Sequence, residues 1–158
     1  MATTPFTDAP VTEFAGQLLF RLWRASHLAA AHVLGTVGLT PALFSLLNVI
    51  GAREGAIQRE LAAAMGIDRT TMVSLVDQLE SAGLAKRLTS AKDRRARAVA
   101  ITPKGRRVLG RARGLIAQAE DDVLAGLTPE QQRDLLTLLR RALESAPPQP
   151  LWTSAEGD

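Results

Sequence analysis

Between two glycines, Gly66 and Gly83, the chain reads Gly-Ile-Asp-Arg-Thr-Thr-Met-Val-Ser-Leu-Val-Asp-Gln-Leu-Glu-Ser-Ala-Gly, a segment compatible with few folds. The Asp68 carboxylate can accept from the free amides of a first helical turn. Met72, Leu75, Val76 and Leu79 recur at helical spacing and make one apolar face. Thr70, Ser74, Asp77, Gln78 and Ser81 lie opposite, with Arg69 flanking the first turn, and Gly83 stands where a C′ glycine ends a helix. Upstream, Ile57, Leu61 and Met65 mark a shorter helix, and Gly66-Ile67 is the tight turn between the two. The pattern is a helix-turn-helix. Short polar side chains near the start of the second helix can reach base edges in a major groove without steric bulk. Arg69, Thr70, Thr71, Ser74 and Gln78 are the candidates. An amphipathic helix with a solvated outer face would show the same periodicity, so the decision falls to what comes next.

After Gly83 the chain continues as Leu84-Ala-Lys-Arg-Leu-Thr-Ser, a strand-like run. A charged turn, Ala91-Lys-Asp-Arg-Arg-Ala-Arg, and a returning strand, Ala98-Val-Ala-Ile-Thr102, complete a hairpin or wing. From Lys86 to Arg113 stand Lys86, Arg87, Lys92, Arg94, Arg95, Arg97, Lys104, Arg106, Arg107, Arg111 and Arg113. These are 11 of the 19 basic residues, with Asp93 as the one acid among them. A charge run is ordinarily a solvated face. Here its sign is nearly pure and it sits directly behind a candidate recognition helix, which favours phosphate binding. Lys92, Arg94 and Arg97 suit phosphates, which position a protein without reading sequence. Arg95 projects from the turn, where a guanidinium fits a narrow, electronegative minor groove.

Helix-turn-helix, strand, basic turn, strand, then Ile101-Thr-Pro-Lys-Gly105 opening another helix: this order resembles the multiple-antibiotic-resistance-regulator (MarR) family of bacterial transcription factors. The resemblance spans roughly Val11 to Ala146. It is carried by Asp93-Arg94-Arg95, by Thr102-Pro103-Lys104-Gly105 and by the run Leu75-Val-Asp-Gln-Leu-Glu-Ser-Ala-Gly-Leu84. It implies a mainly α fold with a small β-wing: a winged helix-turn-helix DNA-binding domain over 38–102 and a helical dimerisation lobe from 11–37 and 103–146. It further implies an obligate homodimer acting as a ligand-responsive repressor on a pseudo-palindromic operator in double-stranded DNA. In the wing, Arg95 would enter the minor groove and Asp93 would orient it. This chain has Ser90-Ala91-Lys92 where many members carry a Pro or an acid, and Ser74 where many carry an Arg; the latter bears on which bases are read. The alternative classes are a non-specific architectural DNA-binding protein and a winged-helix protein-interaction module.

Helices outside the winged-helix pattern supply the candidate lobe. Val11 to about Thr36 carries a stripe of Phe14, Leu18, Leu22, Ala25, Ala29 and Val33. Thr40-Pro41 opens a second helix with a cap and a proline at the first helical position, and Gly51 to Gly55 reads as a linker. Thr102-Pro103 repeats the device ahead of a long helix with the stripe Val108, Ala112, Leu115, Ile116, Ala119, Val123 and Leu127. Gly110 and Gly114 inside it each cost about 1 kcal/mol against Ala, which points to close helix packing. Thr128-Pro129-Glu130-Gln131 is a capping box ahead of Leu135, Leu138, Leu139, Ala142 and Leu143. Residues 1–10 read as a flexible arm and 147–158, with Pro147, Pro148 and Pro150, as a flexible tail. The terminal stripes need cover, and a second copy is the simplest source.

The formal charge is only +3, so the basic residues describe a polarised face of a folded domain rather than a polyanion-binding tail. No cysteine is present, which excludes disulfides, thiolate metal sites and thiol-based peroxide sensing. Residues 1–10 lack the basic start and apolar block of a signal peptide, and the longest apolar stretch, Leu39 to Ala52, is too short to span a bilayer; the expectation is a cytoplasmic protein with no membrane partner. No catalytic constellation or cofactor motif is visible. For a small aromatic or anionic effector the candidate pocket residues are Trp23, His27 and Phe44, with Arg21 or Arg24 as anion partner. His27 and His32 stand five residues apart, about 140° around a helix, and so form no chelating pair; no metal is expected.

Overall fold

The computed structural model describes residues 14–89 and 97–146. In chain order these form α1 (Ala15–Gly35), α2 (Pro41–Ala52), α3 (Gln58–Met65), α4 (Arg69–Ser81), β1 (Ala85–Thr89), β2 (Arg97–Ile101), α5 (Pro103–Val123) and α6 (Pro129–Ser145). The mainly helical fold with one small antiparallel sheet is the winged helix-turn-helix architecture expected from the sequence. The arm at 1–10 and the tail at 147–158 lie outside the described residues.

Threonine caps set three of the helix starts. The Thr40 hydroxyl accepts from the Leu43 amide at 3.2 Å and that of Thr102 from the Gly105 amide at 2.9 Å. Thr128 accepts from the Gln131 amide while the Gln131 side chain accepts from the Thr128 amide at 2.9 Å, a reciprocal box. Each satisfies amides that a helix start leaves without partners. Gly66 and Gly83 turn the chain with φ of 68° and 69°, left-handed values that suit glycine.

One hydrophobic core joins α2, α3, α4, the sheet and α5. Leu46, Leu47, Ile50, Leu61, Val76, Leu79 and Val99 are fully buried in it, each side chain contributing about 1.5–3 kcal/mol over exposure. Leu34 from α1 and Leu109 and Ala112 from α5 belong to the same cluster. In the sheet, Ala85 pairs with Ile101, Arg87 with Val99 and Thr89 with Arg97. A further strand-like contact, unforeseen from the sequence, comes from the α2–α3 connection: the Val99 amide donates to the Ala56 carbonyl at 3.0 Å and Ile57 bridges Ala98. Ile57 therefore precedes α3 rather than opening its apolar face.

Two boundaries differ from the sequence reading. Gly51 and Ala52 finish α2 instead of starting a linker, because Gly51 packs close to the Leu109 side chain. Leu127 falls beyond α5, which ends at Val123. The closest approach to a glycine within α5 is at Gly105 rather than at Gly110 or Gly114. A Cβ at Gly105 would stand 2.0 Å from the Leu84 carbonyl oxygen, whereas one at Gly110 or Gly114 would meet nothing within 4 Å among the described residues.

Gly105→Ala should therefore lower thermal stability by about 3 kcal/mol, roughly 10 °C in melting temperature. Gly110→Ala should leave it unchanged or slightly raised. Calorimetry giving equal melting temperatures for the two variants would contradict the Gly105–Leu84 contact.

Candidate nucleic-acid interface

Helix α4 buries Met72, Leu75, Val76 and Leu79 and turns Arg69, Thr70, Ser74, Asp77, Gln78 and Ser81 outward, as its periodicity requires. Asp68 caps it, accepting from the amides of Thr70 at 2.7 Å and Thr71 at 3.0 Å. The Thr71 hydroxyl also donates to the Asp68 carboxylate, and these bonds, led by that hydroxyl, hold the Asp68 carboxyl below its ordinary range. Of the five recognition-helix candidates, Thr71 thus has its hydroxyl hydrogen engaged in the cap. Arg69, Thr70, Ser74 and Gln78 stay on the outer surface. Gln78 donates to the Ser74 hydroxyl at 3.3 Å, so these two form one polar unit a helical turn apart.

Val73 was missed in the sequence. It sits exposed on the outer side of α4 and lines, with Thr70, Ser74, Gln78, Leu43 and Gly38, an open groove between α4 and the start of α2. The signal was an apolar residue off the Met72–Leu79 stripe. A branched aliphatic side chain there suits contact with a thymine methyl group.

The basic run divides in two. Arg87 lies against Asp77 and Glu80 of α4. Burial would lower its pKa, but hydrogen bonds to the two carboxylates raise it overall. Lys104 donates to the Ala82 carbonyl at 2.7 Å, beyond the end of α4. Arg106 pairs with Glu54, and Arg113 donates twice to the Asn48 side-chain oxygen, at 2.6 and 2.9 Å. All four link one element to another, but only Arg87 is withdrawn from solvent; Lys104, Arg106 and Arg113 keep exposed side chains. Lys86, Arg107 and Arg111 are exposed. The wing candidates Lys92, Asp93, Arg94 and Arg95 lie outside the described residues. Of Arg97 the structure describes the backbone, at the start of β2 and opposite Thr89.

The effector candidates lie on two helices, Trp23 and His27 on α1 and Phe44 on α2. Trp23 is 52% exposed on α1 and stacks on His27 with ring centroids 5.1 Å apart. Phe44 packs against the core from α2. The groove on α4 includes none of the three. No group of His, Asp and Glu suited to a metal ion occurs among the described residues.

Residues 37–96 match the MarR family. A protein assigned as transcriptional regulator of the hcr operon in Thauera aromatica is 37% identical over 131 residues, covering 80% of this chain and 79% of that protein. Among solved structures, the transcriptional repressor CouR bound to a 23-mer DNA duplex is similar at 35% identity and a TM-score of 0.73, over 85% of this chain and 94% of that one. A Mycobacterium tuberculosis MarR family protein in complex with p-aminosalicylic acid is similar at 29% identity and a TM-score of 0.69, over 82% and 98%.

The cap on α4 makes a pH prediction. Because the folded-state pKa of Asp68 is depressed, its contribution is present above the ordinary value of 3.8 and is lost as pH falls through the lower, folded value. Asp68→Ala should melt below wild type at neutral pH, with the gap closing in acid, while Asp68→Asn keeps the acceptor and recovers much of the loss. A gap that does not change from neutral to acid would show that the carboxylate is not the cap.

Proposed function

The chain belongs to the MarR family of transcriptional regulators, and from that premise we propose that it is a sequence-specific DNA-binding repressor acting as a homodimer. The observation that carries this reading is the outer face of α4. Arg69, Thr70, Val73, Ser74 and Gln78 are exposed on a helix whose opposite side is fixed in the core. Such a helix can lie in a major groove with its first turns against base edges. The hairpin behind it would carry Arg95 into the adjacent minor groove, oriented by Asp93 through a charge-assisted hydrogen bond, with Lys92, Arg94 and Arg97 on phosphates.

A second copy supplies the cover that the terminal helices lack. Phe14 just ahead of α1, Leu18, Phe20 and Trp23 on it, and Leu138 and Leu143 on α6 are all more than half exposed, and α6 buries none of its residues. Apolar exposure on this scale marks an association surface. Two-fold pairing of the lobes formed by 11–37 and 103–146 would cover it and present two copies of α4 to one duplex. CouR bound to DNA and the mycobacterial relative bound to p-aminosalicylic acid support DNA and a small aromatic acid as the two ligands. In this reading the acid, held near Trp23 and His27, favours a spacing of the α4 helices that no longer fits the groove. The relatives are regulators, and the proposal includes no catalysis. No helix among the described residues is long and apolar enough to cross a membrane.

Titration against a duplex from the upstream region of the chain's own gene and a random duplex of equal length tests the reading. Wild type should select the upstream duplex, and Arg95→Ala should lose roughly 1–3 kcal/mol of that binding. Equal binding to both duplexes would indicate an architectural protein, and no binding a protein-interaction module; either outcome would contradict the proposal.

A further inference from the structure

Arg87 is the third residue of β1, at the middle of the hairpin register opposite the fully buried Val99. Its guanidinium reaches back to α4, with one terminal nitrogen 2.7 Å from the Asp77 carboxylate and the other on the Glu80 carboxylate. Its backbone amide donates to the second Glu80 oxygen at 2.6 Å. The Arg87 side chain is 17% exposed, and its Nε is buried without a partner. Asp77 and Glu80 stand three apart in the last turn of α4, so a single planar fork spans helix and strand. A lysine ammonium, with one nitrogen and no fixed plane, cannot reproduce that span.

The cluster is poorly suited to a phosphate. Both terminal nitrogens face carboxylates, and the three charges sum to −1. An acid pair on the outer edge of a helix that approaches DNA works against binding unless the geometry it imposes is worth more. Hydrogen bonds to charged groups in a half-buried site are less screened than surface pairs, and this one ties the middle of β1 to the helix that would read the major groove. A tilt of β1 and β2 relative to α4 changes the direction in which the hairpin leaves the domain.

Resting on the DNA-binding reading above, we infer that Arg87 is a positioning residue: clamped between Asp77 and Glu80, it sets the angle of the wing relative to α4 and so determines sequence selectivity without touching DNA. The sign of the consequence is opposite to plain electrostatics. Neutralising Glu80 removes a negative charge from the DNA-facing edge, yet it weakens binding to the selected duplex.

The experiment compares wild type, Glu80→Gln and Arg87→Lys on the upstream and random duplexes at several salt concentrations, with melting temperatures recorded alongside. Glu80→Gln should lose about 10-fold in affinity for the selected duplex and little or nothing for the random one, at a melting temperature near wild type. Arg87→Lys should lose selectivity to a similar extent although its charge is kept. Should the lysine variant unfold, Glu80→Gln alone decides. If Glu80→Gln binds both duplexes as tightly as wild type or more tightly, or if a folded Arg87→Lys selects normally, the positioning role is overturned while the DNA-binding reading stands. If wild type itself fails to select, that reading falls and the role of Arg87 falls with it.

Discussion

The first turn of α5 rests on the Leu84 carbonyl, and the recognition surface depends on that contact. Only a hydrogen at Gly105 permits the approach. Around it, Thr102 both caps α5 and donates to the Gly83 carbonyl at 2.7 Å, its own amide donates to Leu84, and Lys104 reaches the Ala82 carbonyl. The end of α4, the start of β1 and the start of α5 thus share one knot of backbone contacts. A displacement of α5, which also packs along α1, has to carry α4 and the hairpin with it. In the proposed dimer, that coupling would link the helical lobe to the spacing of the two α4 helices.

Charge is distributed according to the same logic. Residues that read as one basic run in the sequence do two kinds of work in the fold. Arg87, Lys104, Arg106 and Arg113 hold α4, the α2–α3 connection and α2 against β1 and α5. Of these four only Arg87 is withdrawn from solvent; Lys104, Arg106 and Arg113 stay exposed, as do Lys86, Arg107 and Arg111, and can meet a polyanion. Counting basic residues along the chain therefore overestimates the phosphate-binding charge by Arg87, which should be left out when the salt dependence of binding is weighed.

Much of this was legible in the sequence because the signals were local. Asp68, Thr40, Thr102 and Thr128 act within a few residues of themselves, so their caps could be placed from spacing. The apolar stripe of α4 repeats within one helix. What escaped was non-local. Nothing near Arg87 in the chain shows that Asp77 and Glu80 will face it across a turn, and Gly105 matters because of Leu84, on the far side of the hairpin. Gly110 and Gly114 drew attention through helix propensity, which reports their cost and not their neighbours. Of the aromatic candidates, Trp23 and His27 are neighbours on one helix, and Phe44 stands on another, half-buried against the core.

The central claim is that two copies of α4, held by paired terminal helices, read one duplex together. Hydroxyl-radical footprinting of the complex with the upstream duplex tests it most directly. The account predicts two protected half-sites related by a two-fold axis, with centres about one helical turn, roughly 10 bp, apart. A single asymmetric protected half-site at saturating protein would contradict it.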